Sequence, residues 1–143
     1  MVRPLLPTDF DAWRELWLGY LHFYRQEVDD QVTRATFDRL AGGSGPLIGL
    51  VAEDQTGRLL GMVHLVFHPS TWSTADSCYL EDLFVAPEAR GTGMARELLA
   101  AAFAEADRRG VGRTYWETQE FNAPARSLYD QVARRTSFIV YER

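Results

Sequence analysis

Between Glu88 and Leu99 the chain reads EARGTGMARELL, with Gly91 and Gly93 where a strand-like run gives way to a helix-like one. Glycine weakens both kinds of element, so two of them at this join need a reason. The first turn of a helix carries N–H groups without partners and a partial positive charge, which together hold anions. Gly91 and Gly93 allow unusual backbone angles and close approach by a ligand, and Ala95 is small where a longer side chain would block it. Arg90 can add a charge-assisted contact. The pattern predicts a diphosphate seated on the backbone of Arg90, Gly91, Thr92, Gly93, Met94 and Ala95. A P-loop would need a lysine, and the chain has none. A dinucleotide fingerprint fails as well, because Arg96 takes the place of its third glycine. On the turn alone, a β–α connection that holds nothing stays open.

Upstream, CYLEDLFV is a buried-strand pattern interrupted by Glu81 and Asp82. Unpaired carboxylates are expensive in such a place. Adjacent strand residues point to opposite faces, so both acids line one side of the sheet only if a bulge rotates one of them. Cys78 on the same run reads as packing rather than as a nucleophile. His64 and His68 could share a strand face, but His22, His64 and His68 form no metal-ligand motif, and no metal is expected.

These residues need a scaffold. With 143 residues the chain suits one domain, 1–143, around one core. A net charge of −5 argues against broad nucleic-acid binding and for cationic partners. No apolar run approaches a membrane span, the start lacks a signal peptide's apolar stretch, and a single cysteine excludes a disulfide framework. A cytoplasmic protein without membrane partners is expected.

VRPLL predicts a short strand, followed by a helix capped by Thr8 and Asp11. Trp13, Leu16, Trp17, Tyr20, Leu21 and Tyr24 mark its buried face. A second helix is expected over 33–41, then a hairpin from LIGLVAED and LLGMVHLVFH, a polar loop PSTWSTADS, and the strand CYLEDLFV. The clearest helix runs from Gly93 to Arg109, with Glu105 and Arg109 paired on its exposed face and Gly110 as its stop. VGRTYWET predicts a strand, APARSLYDQVA a short helix with Pro124 in its first turn, and SFIVYE a last strand. Strand–helix–strand over 78–118 amid antiparallel elements makes a mixed α/β sheet.

The turn RGTGMA matches the [QR]-x-x-G-x-[GA] signature of the GNAT N-acetyltransferases, with Arg90, Gly93 and Ala95 at its defining places. Asn122, Ala125 and Tyr129 repeat a second family pattern, N-x-x-A-x-x-x-Y. The stretches TW…CYLEDLFV and YWETQEFNAPARSLYDQVA resemble the yeast Hpa-type acetyltransferases and their bacterial relatives, and YLED is similar to the diamine (spermidine/spermine) acetyltransferases. The resemblance spans nearly the whole chain. It implies a mostly antiparallel sheet of six to seven strands, about four helices and a splayed parallel pair that admits acetyl-CoA.

By the same resemblance, the backbone of Leu83, Phe84 and Val85 would pair with the pantetheine arm, and residues 90–95 would take the pyrophosphate. Asn122 would hydrogen-bond the arm, and Tyr129 would face the thioester sulfur. A tyrosine at about pKa 10 giving its proton to a thiolate near 8.5 is uphill by about 2 kcal/mol. Either the Tyr129 pKa is lowered or Tyr129 donates a hydrogen bond. Only about one lysine-like amine in a thousand is uncharged near neutral pH, so a base is needed. Glu81 is the expected base or water-holder, with Asp82 as a structural or substrate contact.

Trp72, Trp116 and Tyr24 are candidate pocket aromatics, because an ammonium favours aromatic faces; Trp116 is the foremost. Glu117 and Glu120 add negative charge beside the cleft. The expected reaction moves acetyl from acetyl-CoA directly to a primary amine, either a small cationic amine or an amino acid. The alternatives are protein or histone lysine tails and, in another class, a non-catalytic acyl-CoA sensor or an interaction module. SFIVYE could join a second copy, giving a homodimer.

Overall fold

The computed structural model describes residues 1–143. Strand β1 (Val2–Pro4) leads into helix α1 (Phe10–Phe23) and helix α2 (Asp30–Ala41). Strands β2 (Leu47–Glu53), β3 (Leu59–Ser70) and β4 (Ser73–Val85) follow as an antiparallel meander. Helix α3 (Met94–Arg108) crosses over to strand β5 (Arg113–Tyr115), which lies parallel to β4, and helix α4 (Ala123–Val132) comes last. The sheet order is β1-β2-β3-β4-β5. The α/β class, the four helices and the mixed sheet match the sequence reading; the strand count is five rather than six or seven.

Two cores sandwich the sheet. Trp13, Leu16, Trp17 and Leu21 of α1 join Phe37 and Leu40 of α2 against Val51, Met62 and Phe84. Leu98, Leu99, Ala102 and Ala106 of α3 cover Val63, Leu65, Cys78 and Leu80 on the other face. Trp17 Nε1 donates to Thr33 Oγ1 at 3.1 Å, tying α1 to α2.

The start of α1 departs from the expected cap. Asp9, not Thr8 with Asp11, accepts the Leu6 N–H at 2.8 Å and grips Arg3 at 2.7 Å. The Arg3 guanidinium holds the Asp9 carboxyl below the usual carboxylate range. Helix α2 starts before residue 33, because Asp29 caps it by accepting the Val32 N–H at 2.9 Å.

The expected loop PSTWSTADS is mostly strand. β3 and β4 pair out to Ser70 and Ser73, leaving Thr71 and Trp72 as the turn. One face of an antiparallel hairpin can meet water, so a polar composition does not forbid pairing. Conversely, the expected strand VGRTYWET keeps only Arg113–Tyr115, because β4 and β5 pair no further than Tyr79 and Tyr115. SFIVYE forms no strand: it pairs with none of the five strands and leaves the outer edge of β5 open.

The feature that matters most for the site is a bulge. Across β3 and β4, Leu65 opposes Leu80 and His64 opposes Asp82, so Glu81 is the extra residue. Leu80 and Leu83 pack toward α3, leaving Glu81 and Asp82 together on the α1 face.

Candidate active site

The glycine turn is built as its composition implies. Gly91 and Gly93 have φ of 77° and 90°, in the left-handed region that favours glycine. A Cβ added at either would meet nothing within 4 Å, so the space in front of the turn is open. Gly93 caps α3 without any side-chain hydrogen bond, and Glu97 is the first N–H of the helix to reach back, to the Gly93 carbonyl. Thr92 Oγ1 donates to the Ala89 carbonyl at 2.6 Å and steadies the loop. The concave backbone and uncapped helix start fit a pyrophosphate. Arg90 sits beside it with Nε donating to the Val85 carbonyl at 3.2 Å, its guanidinium lying 5.7 Å from the Phe84 ring.

Beyond Tyr79 the edge of β4 that faces β5 has no strand partner, as an added extended arm would require. Leu83 and Val85 lean on the α3-side core. Phe84 points into the opposite core under α1, so its contribution to such an arm is limited to backbone. Met94 packs near Gly61. Asn122 precedes α4 with its side chain bonded to no protein group, while its carbonyl accepts from Arg126 at 3.0 Å.

A cavity of about 290 Å³ lies where β4 and β5 part. Its walls come from both helical layers: Tyr20 from α1 and Tyr24 just after it, Tyr129 from α4, with Tyr79, Glu81 and Trp116 from where the strands separate. Glu117 adds a second carboxylate, and no arginine or histidine lines the cavity. Burial, then the neighbouring Asp82, raises the Glu81 pKa above the ordinary carboxylate value. Burial, helped by Asp82, also raises those of Tyr20 and Tyr24.

Tyr129 is packed edge-on against Trp116, with ring centroids 5.4 Å apart, and Trp116 leans on Phe103 of α3. Burial pushes the Tyr129 hydroxyl up to about 12. Burial favours the protonated hydroxyl, the form that donates a hydrogen bond rather than the one a lowered pKa would give.

Asp82 stands just behind the cavity. Its Oδ2 lies 2.8 Å from His64 Nδ1, and Trp13 Nε1 donates to His64 Nε2 at 3.0 Å. His68 is engaged elsewhere, with Nε2 2.7 Å from the Tyr115 hydroxyl. Burial raises the Cys78 thiol to about 11, which makes it a poor nucleophile. Trp72 sits at the β3–β4 turn, 91% exposed and outside the cavity, which corrects its expected place. Glu120 also lies outside it.

Sequence reasoning assigned Tyr20 to the core and missed Tyr79 and the partnership of His64. Tyr20 lies four residues before Tyr24, itself an expected pocket aromatic, so the signal was present, but Tyr20 was read as packing. The place of Tyr79 depends on where β4 and β5 part, which no local pattern encodes.

Comparison with known proteins identifies the family. Residues 10–133 match the model of the Acetyltransferase (GNAT) family. The D-amino-acid N-acetyltransferase HPA3 of Saccharomyces cerevisiae is 33% identical over 144 residues, covering 100% of this chain and 89% of its own length. An uncharacterized N-acetyltransferase, YhfO of Bacillus subtilis, is 33% identical over 142 residues, covering 98% and 94%. Among solved structures, a probable acetyltransferase superimposes with a TM-score of 0.87 at 24% identity, over 100% of this chain and 96% of its own. AAC(6')-Iy in complex with the bisubstrate analog CoA-S-monomethyl-acetylneamine gives 0.85 at 18% identity, over 100% and 96%. The chain belongs to the GNAT family and is an acetyl-CoA-dependent N-acetyltransferase.

Proposed function

We propose that this enzyme acetylates a small cationic primary amine in the cavity between β4 and β5. One observation carries the reading: a single cavity is lined from the α1 side by Tyr20, Tyr24 and Glu81 and from the α4 side by Tyr129. An amine entering from one layer can meet a thioester held from the other. Carboxylates and tyrosine rings suit an ammonium.

Acetyl-CoA, when bound, supplies an acetyl thioester whose carbonyl carbon takes the amine's lone pair. Arg90, Gly91, Thr92, Gly93, Met94 and Ala95 seat the pyrophosphate, while the free edge at Leu83, Phe84 and Val85, with Asn122, holds the arm. Glu81, directly or through one water, takes the ammonium proton. Its raised pKa makes it a better base than an ordinary glutamate. Tyr129 donates a hydrogen bond to the sulfur as the C–S bond breaks. Trp116 and Tyr24 flank the amine, and Asp82 adds negative charge behind it. We read the enzyme as cytoplasmic and as a homodimer.

The similarity to HPA3 favours a second reading, a D-amino acid acceptor. Thiol release from acetyl-CoA with putrescine, a D-amino acid panel and a lysine-bearing histone-tail peptide separates these. The proposal expects kcat/KM for putrescine at least tenfold above every D-amino acid. The reverse order would transfer the assignment to D-amino acids, and preference for the peptide would transfer it to protein lysines.

A further inference from the structure

One buried titratable group has no part in the chemistry described so far. His64 is 2% exposed, lies in the middle of β3, and has a hydrogen-bond partner on each ring nitrogen. An indole N–H can only donate, so Trp13 fixes Nε2 as an acceptor and leaves the ring hydrogen on Nδ1, aimed at Asp82. Trp13 is itself fully buried and stacks on Trp17 at 5.7 Å. Asp82 is the residue that the bulge turns onto the cavity side next to Glu81.

We propose that His64, oriented by Trp13, is a positioning residue for acetyl transfer: it holds the Asp82 carboxylate at a fixed place behind the acceptor cavity, and so sets the negative charge that the ammonium and Glu81 meet. The inference deepens the proposed amine site and rests on it.

Hydrogen bonds link Trp13 to His64 and His64 to Asp82, and the Asp82 charge acts on the Tyr20 hydroxyl of the cavity wall. A free aspartate would swing among rotamers, and its influence on Glu81 would swing with it. A hydrogen bond to a ring that cannot rotate removes that freedom. Other groups around the two acids are Tyr20 of α1, Tyr24 just after it, Arg39 of α2, and Tyr79 of β4. Of these, Arg39 is the only cation, and it acts on Glu81 rather than through the chain.

Four measurements test the idea. The imidazole nitrogen-15 shifts of His64 in the wild-type protein at neutral pH should report hydrogen on Nδ1 and none on Nε2. The opposite tautomer overturns the inference whether or not any amine is turned over, which keeps it separable from the assignment of the acceptor. His64→Leu should lower kcat/KM for the amine at least tenfold while acetyl-CoA affinity changes less than threefold. His64→Asn, whose amide nitrogen can replace Nδ1, should recover most of that loss; equal activity in the Leu and Asn variants at equal folded fraction overturns the role. Asp82→Asn should move the acid limb of kcat/KM to lower pH, and an unmoved limb makes the chain a core contact only. Should His64→Leu fail to fold, Trp13→Phe carries the same comparison: a free imidazole should lose at least threefold in kcat/KM, and unchanged kcat/KM overturns the positioning role.

Discussion

In the proposed mechanism Glu81 and Tyr129 stand in opposite relation to protons, and each makes a prediction. A base works when ionised. The raised Glu81 pKa therefore means that kcat/KM falls as pH drops through a value above the ordinary glutamate pKa of about 4.3, and is retained above it. Glu81→Gln should abolish that acid limb and cost about 10²-fold in kcat, as loss of a general base does; a limb that survives the substitution belongs to another group. Burial raises Tyr129 to about 12 and so favours its protonated, donating form. Tyr129→Phe should thus lower kcat at least tenfold with acetyl-CoA affinity nearly unchanged, measured by single-turnover kinetics beside calorimetric titration. Equal losses in both would make the residue a packing contact of Trp116.

The turn before α3 and the bulge in β4 are the two elements that make a site out of these residues. Gly93 must adopt φ of 90°, which costs any other residue about 1–2 kcal/mol. Gly43, in the loop after α2, is a control, with φ of 71° and equally open surroundings. Gly93→Ala and Gly43→Ala should lower the melting temperature alike, yet only the first should weaken acetyl-CoA binding, by tenfold or more in calorimetry. Equal affinity in both would show that the turn is not the pyrophosphate seat. This turn was legible in the sequence because its glycines, its arginine and the helix after it are all local. The Glu81–Asp82 pair was legible as an anomaly, two acids on a buried run, but its resolution was not. Which residue a bulge inserts depends on the register of β3, eighteen residues upstream of Asp82 at His64. Likewise the partner of His64 is Trp13, fifty-one residues away and hidden in a helix face that reads as core from its spacing. Tyr20 shows the same limit: its periodicity says that it is buried, not that the other side of it is a cavity.

At the scale of the whole molecule, the last residues are what a single chain leaves unresolved energetically. Phe138, Ile139, Val140 and Tyr141 are 79%, 74%, 69% and 89% exposed. Beside them lies a cavity of about 710 Å³ against β5, whose edge away from β4 has no partner. An unpaired edge next to four consecutive apolar side chains is an open invitation to another strand. Burying one large apolar side chain gives about 1.5–3 kcal/mol, so four give roughly 6–12 kcal/mol. Micromolar association needs about 8 kcal/mol net, after ordering costs have been met. A two-fold dimer buries both tails, so roughly 12–24 kcal/mol stands against those costs, and backbone pairing with the partner's β5 adds to it. Sedimentation should accordingly report twice the 16.3 kDa chain mass at micromolar concentration. Phe138→Asp together with Ile139→Asp should return the monomer with its melting transition intact, because neither side chain belongs to either core. Acetyl-CoA binding should persist in that monomer, since the turn at Gly91 and Gly93 and the free edge of β4 lie wholly within one chain. A wild-type protein that sediments as a monomer would remove the homodimer and leave the tail exposed.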